Sequence, residues 1–175
     1  LFTNDTNNPI STNTYFRNNS STVGGAIYNN GALTFHGGNW NFSNNTSTSF
    51  GSAIMASNIF VAGSLLAANI LPTHLTFTDN SGINTIWATS FNTQLACISE
   101  VSASGQPGCK NQYKFYRNTT NASESKLSHI QLEKELWMTG KWDFSNNIIY
   151  NKDTQRTKSG TIILGRTASS PLPIN

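Results

Sequence analysis

The sequence has little charge and only two cysteines. Of its 175 residues, eleven are Lys or Arg and eight are Asp or Glu, 11% in all, against about a quarter in an ordinary soluble domain. The cations form no run or stripe, which argues against nucleic acid as a partner. The most apolar window, residues 59–71, is shorter than the roughly twenty residues of a membrane-spanning helix. With no leader segment at its start, the chain is expected to be a piece of a larger protein.

The two cysteines, Cys97 and Cys109, flank a segment rich in Ser, Gly and Pro. Closing a loop of this size stabilises a fold by about 3 kcal/mol in the chain-entropy model. We therefore expect a disulfide and an oxidising compartment, with two unrelated buried thiols as the alternative. No His lies at a zinc-ligand spacing from them, so we expect no metal and no cofactor.

What the sequence does have is an internal repeat. The pattern Phe-x-x-Asn occurs five times and uses half of the ten Phe residues. Its copies are Phe16/Asn19, Phe42/Asn45, Phe77/Asn80, Phe115/Asn118 and Phe144/Asn147. Residues 38–45 and 140–147, GNWNFSNN and GKWDFSNN, match at six of eight positions. Such self-similarity is typical of solenoid proteins.

A second motif follows the first in the same order. Gly24-Gly25-Ala26-Ile27 comes after the first Phe-x-x-Asn copy, and residues 51–54, Gly-Ser-Ala-Ile, come after the second. A third copy, Ser-Gly-Thr-Ile at residues 159–162, follows the last. Glycine reaches positive φ at little cost and leaves room for a crowded corner, so we interpret the motif as a turn.

The segments between these motifs alternate apolar and polar residues with a period of two, which predicts strands. Examples are residues 32–35, ALTF, and 75–77, LTF. The segment KLSHIQLEKELW is also predicted as a strand, with Ile130, Leu132, Leu136 and Met138 on one face. Helical periodicity extends over no useful length.

Together these features predict an all-β fold, a right-handed parallel β-helix of six or seven coils with about 25 residues each. Equivalent residues then stack at a spacing of about 4.8 Å, with Phe on Phe in the core and Asn on Asn in an amide ladder. The whole chain, 1–175, is expected to be one β-helical segment. Loops that break the repeat are predicted near 88–111, 119–128 and 151–159.

The tryptophans and the acids give the remaining candidates. Trp40 and Trp142 precede a Phe by two residues and are expected in the core, whereas Trp87 and Trp137 are candidates for a surface binding patch. The eight acids form no recognisable catalytic set, although Glu133 and Glu135 would share one strand face. We therefore expect no enzyme, and keep a secreted carbohydrate-active β-helix as the alternative.

The alternation of Gly-Gly-Ala-Ile with Phe-x-x-Asn resembles the repeats of the chlamydial polymorphic membrane proteins and related autotransporter passengers. The resemblance covers residues 15–56 and 137–164. It implies an adhesin passenger that lies on the cell surface, attached to the outer membrane, or is secreted, and that binds a host cell-surface receptor, protein or glycan. In that family the repeat motifs carry adhesion, which maps to Gly24, Gly25, Ala26, Ile27, Phe42 and Asn45.

The physical interpretation of those residues is different, because stacked Phe and ladder Asn are expected inside the fold. Specificity is then expected in the predicted breaks, with Lys152, Arg156 and Lys158 offered to an acidic partner. A structural spacer or a segment of a toxin passenger remains a further alternative. Open ends of the solenoid would allow self-association.

Overall fold

A computed structural model describes residues 13–62, 64–66, 69–93, 110–122, 126–151 and 158–164, and these contain strands and turns but no helix. The strands form five successive coils. Coil 1 contains β1 (Asn13–Arg17), β2 (Ser20–Ser21) and β3 (Ile27–His36), and coil 2 contains β4 (Gly38–Ser43), β5 (Thr46–Ser47) and β6 (Ile54–Ala62). An antiparallel hairpin of β7 (Ser64–Leu66) and β8 (Asn69–Leu71) follows.

The remaining three coils repeat the same order. Coil 3 contains β9 (Thr73–Thr78), β10 (Ser81–Gly82) and β11 (Ile86–Asn92). Coil 4 contains β12 (Gln112–Tyr116), β13 (Thr119–Ala122) and β14 (Lys126–Trp137). Coil 5 contains β15 (Lys141–Ser145), β16 (Ile148–Asn151) and β17 (Lys158–Leu164).

The first, second and third strands of the coils build three parallel sheets of five strands, called A, B and C. Each strand pairs with its equivalent in the next coil, which confirms the predicted parallel β-helix. The predicted number of six or seven coils is wrong for the described part, which has five. Coils are longer than 25 residues because insertions such as the β7–β8 hairpin separate coils whose strands still pair in register.

The corner between sheets A and B explains the spacing of Phe-x-x-Asn. The second x adopts positive φ in every coil, at Asn18, Asn44, Asp79, Arg117 and Asn146, with φ between 53° and 58°. Asn and Asp tolerate this left-handed conformation better than most residues. Arg117 is the exception, and its guanidinium is held by Asp79 of the preceding coil at 2.7 Å.

The Gly-bearing motif forms the corner between sheets B and C, as predicted. Gly24 and Gly51 have φ of +62° and +64°. Gly25 is buried, and a Cβ added there would overlap the Ser52 carbonyl oxygen and lie 2.6 Å from that of Thr46. The residue that closes each motif belongs to a continuous column of isoleucines on sheet C, namely Ile27, Ile54, Ile86, Ile130 and Ile162.

The core lies between the sheets and is filled by alternate residues of sheets A and C. Trp40 is buried and Trp142 packs against the core cluster, as expected. The predicted strand at KLSHIQLEKELW is confirmed as β14, with Ile130 and Leu132 buried and Leu136 packed on the core. Met138 is a correction, since it is 43% exposed and follows the end of β14.

Two of the predicted repeat breaks are narrower than expected. Residues 88–92 belong to β11, and residues 119–122 and 126–128 belong to β13 and β14, because these segments keep pairing with neighbouring coils. The third, 151–159, is bounded by the ends of β16 and β17. Cys97 and Cys109 lie outside the described residues, as do Lys152 and Arg156. Within the described ranges, no helix is long and apolar enough to cross a membrane.

Candidate functional site

The five Phe residues of the repeat form one continuous stack inside the solenoid. Neighbouring rings lie 4.6–5.0 Å apart between centroids with interplanar angles of 4–20°. Phe42, Phe77 and Phe115 are fully buried, whereas Phe16 and Phe144 at the two ends are partly buried. The stack follows from the parallel register, which places each ring directly over its equivalent.

The five Asn residues form a hydrogen-bonded ladder beside the Phe stack. Each Asn donates from its side-chain Nδ2 to the Oδ1 of the Asn in the next coil, at 2.9–3.0 Å. That Oδ1 also accepts the backbone N–H of the first Asn, and Nδ2 of the later Asn donates to the preceding Phe carbonyl. The amides of Asn45, Asn80 and Asn118 are thereby fully paired, and only an amide can both donate and accept in this way.

The residues that the family resemblance assigns to adhesion occupy corners and core. Gly24 and Gly25 are buried in the corner, and Ala26 and Ile27 pack against the core cluster. Phe42 and Asn45 are both 0% exposed. These six positions hold the coil together, and none of them presents a large side chain to a partner.

The outer side of sheet C carries large apolar side chains. We call Tyr28, Met55, Phe60, Trp87 and Trp137 the aromatic face. Each follows or precedes an inward residue of its strand, and registers place Tyr28, Met55 and Trp87 in one column. Phe60 and Trp137 share a second column through Asn92. Tyr28 is 55% exposed and Trp137 is 51% exposed.

Trp87 and Trp137, the two predicted surface tryptophans, differ in their surroundings. Trp87 is partly buried against the ring of Phe50, with centroids 5.9 Å apart. Trp137 stands beside exposed Met138, and its Nε1 lies 3.5 Å from Oε2 of Glu135. The Trp137 carbonyl accepts the backbone N–H of Thr93 at 3.0 Å. Trp137 is thus the most accessible tryptophan of the aromatic face, at the point where the chain leaves β11.

The carboxylates remain dispersed. A register shift in β14 places an extra residue between Leu132 and Glu135, so the flat spacing expected for Glu133 and Glu135 is interrupted by a bulge. Oε2 of Glu133 lies 3.5 Å from the hydroxyl of Thr89 instead. Asp79 is committed to Arg117. Among the described residues, no group of three His, Cys, Asp or Glu side chains could hold a metal ion.

His129 is the most perturbed titratable group in the interior. It is 1% exposed, its Nδ1 lies 3.5 Å from the Thr85 hydroxyl, and its Nε2 has no hydrogen-bond partner within the described structure. Burial lowers the pKa of His129 to about 4. An imidazole without an adjacent carboxylate or nucleophile has no catalytic arrangement, and we treat it as a buried neutral side chain.

Tyr28, Met55 and Phe60 were not anticipated as surface residues. The signal was present, because in a strand of period two the residue after an inward Ile points outward. Identifying that signal requires knowing that Ile27 and Ile54 stack, which depends on pairing between coils.

The chain stands apart in comparisons with known proteins. No protein-family profile, no curated protein and no solved structure matches it.

Proposed function

We propose that this chain is an adhesive segment of a surface-exposed or secreted protein, and that it attaches to a receptor, protein or glycan, on host cells. The observation that carries the proposal is the aromatic face. Large rings on the outside of a solenoid contribute little to its core, and exposed Trp and Tyr are the side chains that most often anchor a partner.

Trp137 is the anchor in this proposal. Its exposure, the adjacent Met138 and the polar Glu135 make an apolar centre with a polar rim, the usual anatomy of a binding patch. The segment 94–109 begins directly after Thr93, which is hydrogen-bonded to the Trp137 backbone. The predicted break of the repeat and the aromatic face therefore belong to one region of the surface.

The repeat motifs act indirectly in this proposal. Because Phe42 and Asn45 are buried in the stack and ladder, replacing them removes binding by unfolding the coils. Phe42→Ala is expected to cost about 3–5 kcal/mol. A loss of adhesion in such a variant would therefore report on folding, not on a contact with the receptor.

The test is cell binding by Trp137→Ala, with Tyr15→Ala as the matched control. Both parent side chains are 51% exposed, but Tyr15 lies on sheet A, away from the aromatic face. We expect Trp137→Ala to reduce binding at least about tenfold, the loss of one modest anchor, while Tyr15→Ala leaves it unchanged. Circular dichroism and thermal unfolding establish that both variants remain folded.

A second experiment shortens the segment between Cys97 and Cys109. Binding is expected to fall with little loss of fold. Unchanged binding by this variant and by Trp137→Ala would contradict the proposal, and absence of binding by the parent chain would favour a structural spacer. Protease or glycosidase treatment of the cells then distinguishes a protein receptor from a glycan.

A further inference from the structure

We propose that two copies of this chain associate head to tail, with coil 5 of one molecule stacked on coil 1 of the next. This inference is independent of the proposed function. It rests on the direction of the Asn ladder, on the apolar side chains at the two ends, and on the strand edges that coils 1 and 5 present.

The ladder has a direction because every step uses the same three hydrogen bonds. At the step from Asn45 to Asn80, the backbone N–H and Nδ2 of Asn45 donate to Oδ1 of Asn80, and Nδ2 of Asn80 donates to the Phe42 carbonyl. All three distances are 3.0 Å. The earlier coil thus supplies two donors and one acceptor, and the later coil supplies the reverse.

The two ends of the ladder are therefore complementary. In coil 1, Oδ1 of Asn19 occupies the acceptor position, and within the described residues no donor reaches it. In coil 5, the backbone N–H of Asn147 and one hydrogen of its Nδ2 occupy the donor position, beside the Phe144 carbonyl. Stacking coil 5 on coil 1 reproduces the three bonds of an internal step, whereas coil 1 on coil 1 opposes two acceptors.

The apolar surfaces at the ends match in the same orientation. At coil 1 an apolar cavity of about 290 Å³ is lined by Phe16, Ile27, Leu33, Phe35 and Trp40, among others. It is open because Thr14 stands over Trp40, where coils 4 and 5 have the larger Tyr113 and Trp142.

The coil 5 end presents large side chains in these columns. Trp142 and Phe144 are only partly buried, and Leu164, at an inward position of β17, is 52% exposed. On a second molecule the Trp142 ring would lie above Thr14 and close the cavity. Phe144 would continue the Phe stack over Phe16, and Ile162 would continue the isoleucine column over Ile27.

The strand edges point to the same partner. Within the described sheets, β1, β2 and β3 pair on one side only, and so do β15, β16 and β17. An unpaired parallel edge is completed by another strand in the same direction, and a second copy offers three of them at the right separation. Because the two surfaces differ, the contact is heterologous and continues into an open filament. Each added copy extends it by roughly 24 Å, five strand spacings.

The experiment blocks one end at a time and uses sedimentation velocity to measure association. Asn19→Lys places a long cation at the acceptor end, and Leu164→Lys does so at the opposite end. Both parent side chains are exposed, so the coils are expected to remain folded. Asn41→Lys, on the outer side of sheet A in coil 2, is the matched charge control.

The parent chain and Asn41→Lys are expected to form species of rising mass as concentration increases. Each end variant alone is expected to associate at least about tenfold more weakly. A mixture of the two end variants should form a one-to-one dimer, because each retains one intact end and the two intact ends are complementary.

Three outcomes would overturn the proposal. The first is a parent chain that stays monomeric at every concentration. The second is a closed dimer that survives Leu164→Lys but not Asn19→Lys, which indicates contact between two coil 1 ends. The third is a mixture of the end variants that associates no better than either variant alone.

Discussion

Replacing Asn80 with Asp tests the ladder by changing one functional group. Asn80 is 0% exposed. Its Nδ2 donates to the Phe42 carbonyl at 3.0 Å and to Oδ1 of Asn118 at 2.9 Å, while its Oδ1 accepts two N–H groups of Asn45. In Asn80→Asp an oxygen replaces the NH₂ group and faces two oxygens at those distances.

The magnitude follows from these contacts. Two hydrogen bonds are lost, each about 0.5–1.5 kcal/mol, and two buried acceptors are left facing a charge. An uncompensated buried charge typically costs about 3–5 kcal/mol. We therefore expect the free energy of unfolding to fall by about 4 kcal/mol or more at neutral pH.

The pH dependence of that loss gives a second measurement. Burial and the two facing oxygens would raise the pKa of the new carboxyl above the ordinary value of about 3.9. Between those two values the folded variant holds a proton that the unfolded chain has released, so its stability falls as pH rises. The deficit relative to the parent chain should be largest at neutral pH and smaller near pH 4.

The assay is chemical denaturation of parent and variant at both pH values, with Asn44→Asp as the control. Asn44 is exposed at the left-handed corner position that Asp79 occupies in the next coil, so this Asp is expected to be tolerated. Equal losses in the two variants, or a loss in Asn80→Asp that does not shrink in acid, would refute the amide ladder as the reason for Asn.

Three further predictions concern the corners, the interior and the cysteines. Gly25→Ala should destabilise the fold by several kcal/mol, because the new Cβ meets fixed backbone, whereas Gly31→Ala meets only the flexible Asn29 side chain at 3.4 Å and should unfold at the parent temperature. The pKa of His129, lowered to about 4 by burial, means that stability falls as pH drops from about 6.5 towards 4, by about 3 kcal/mol in total; His129→Thr should flatten this part of a pH–stability curve. Cys97 and Cys109 should resist thiol labelling in the unfolded, non-reduced secreted protein, and labelling of both would rule out the disulfide.

The sequence alone determined the repeating unit and its chemistry. Alternation with period two defines strands, and Phe-x-x-Asn and Gly-Gly-Ala-Ile mark two corners of each coil. Since Asn can both donate and accept, and glycine tolerates positive φ, these residue types already indicate a stack, a ladder and a tight turn. The Phe and Asn residues of all five coils were identified in this way.

The tertiary structure decided what depends on pairing between distant segments. Equivalent Phe residues are separated by insertions of different length, so register had to come from hydrogen bonds between coils. That register aligns Ile86 and Ile130 with Ile54, although no Gly-Gly-Ala precedes them.

The same dependence explains the surface. A bulge in β14 separates Glu133 from Glu135, and the end of that strand leaves Met138 outside the core, neither of which a local period of two reveals. The aromatic face and the complementary ends arise only when five coils are stacked. A side chain's position in its strand is a local property, but its neighbours above and below are set by residues at least 26 positions away, and only the folded chain brings them together.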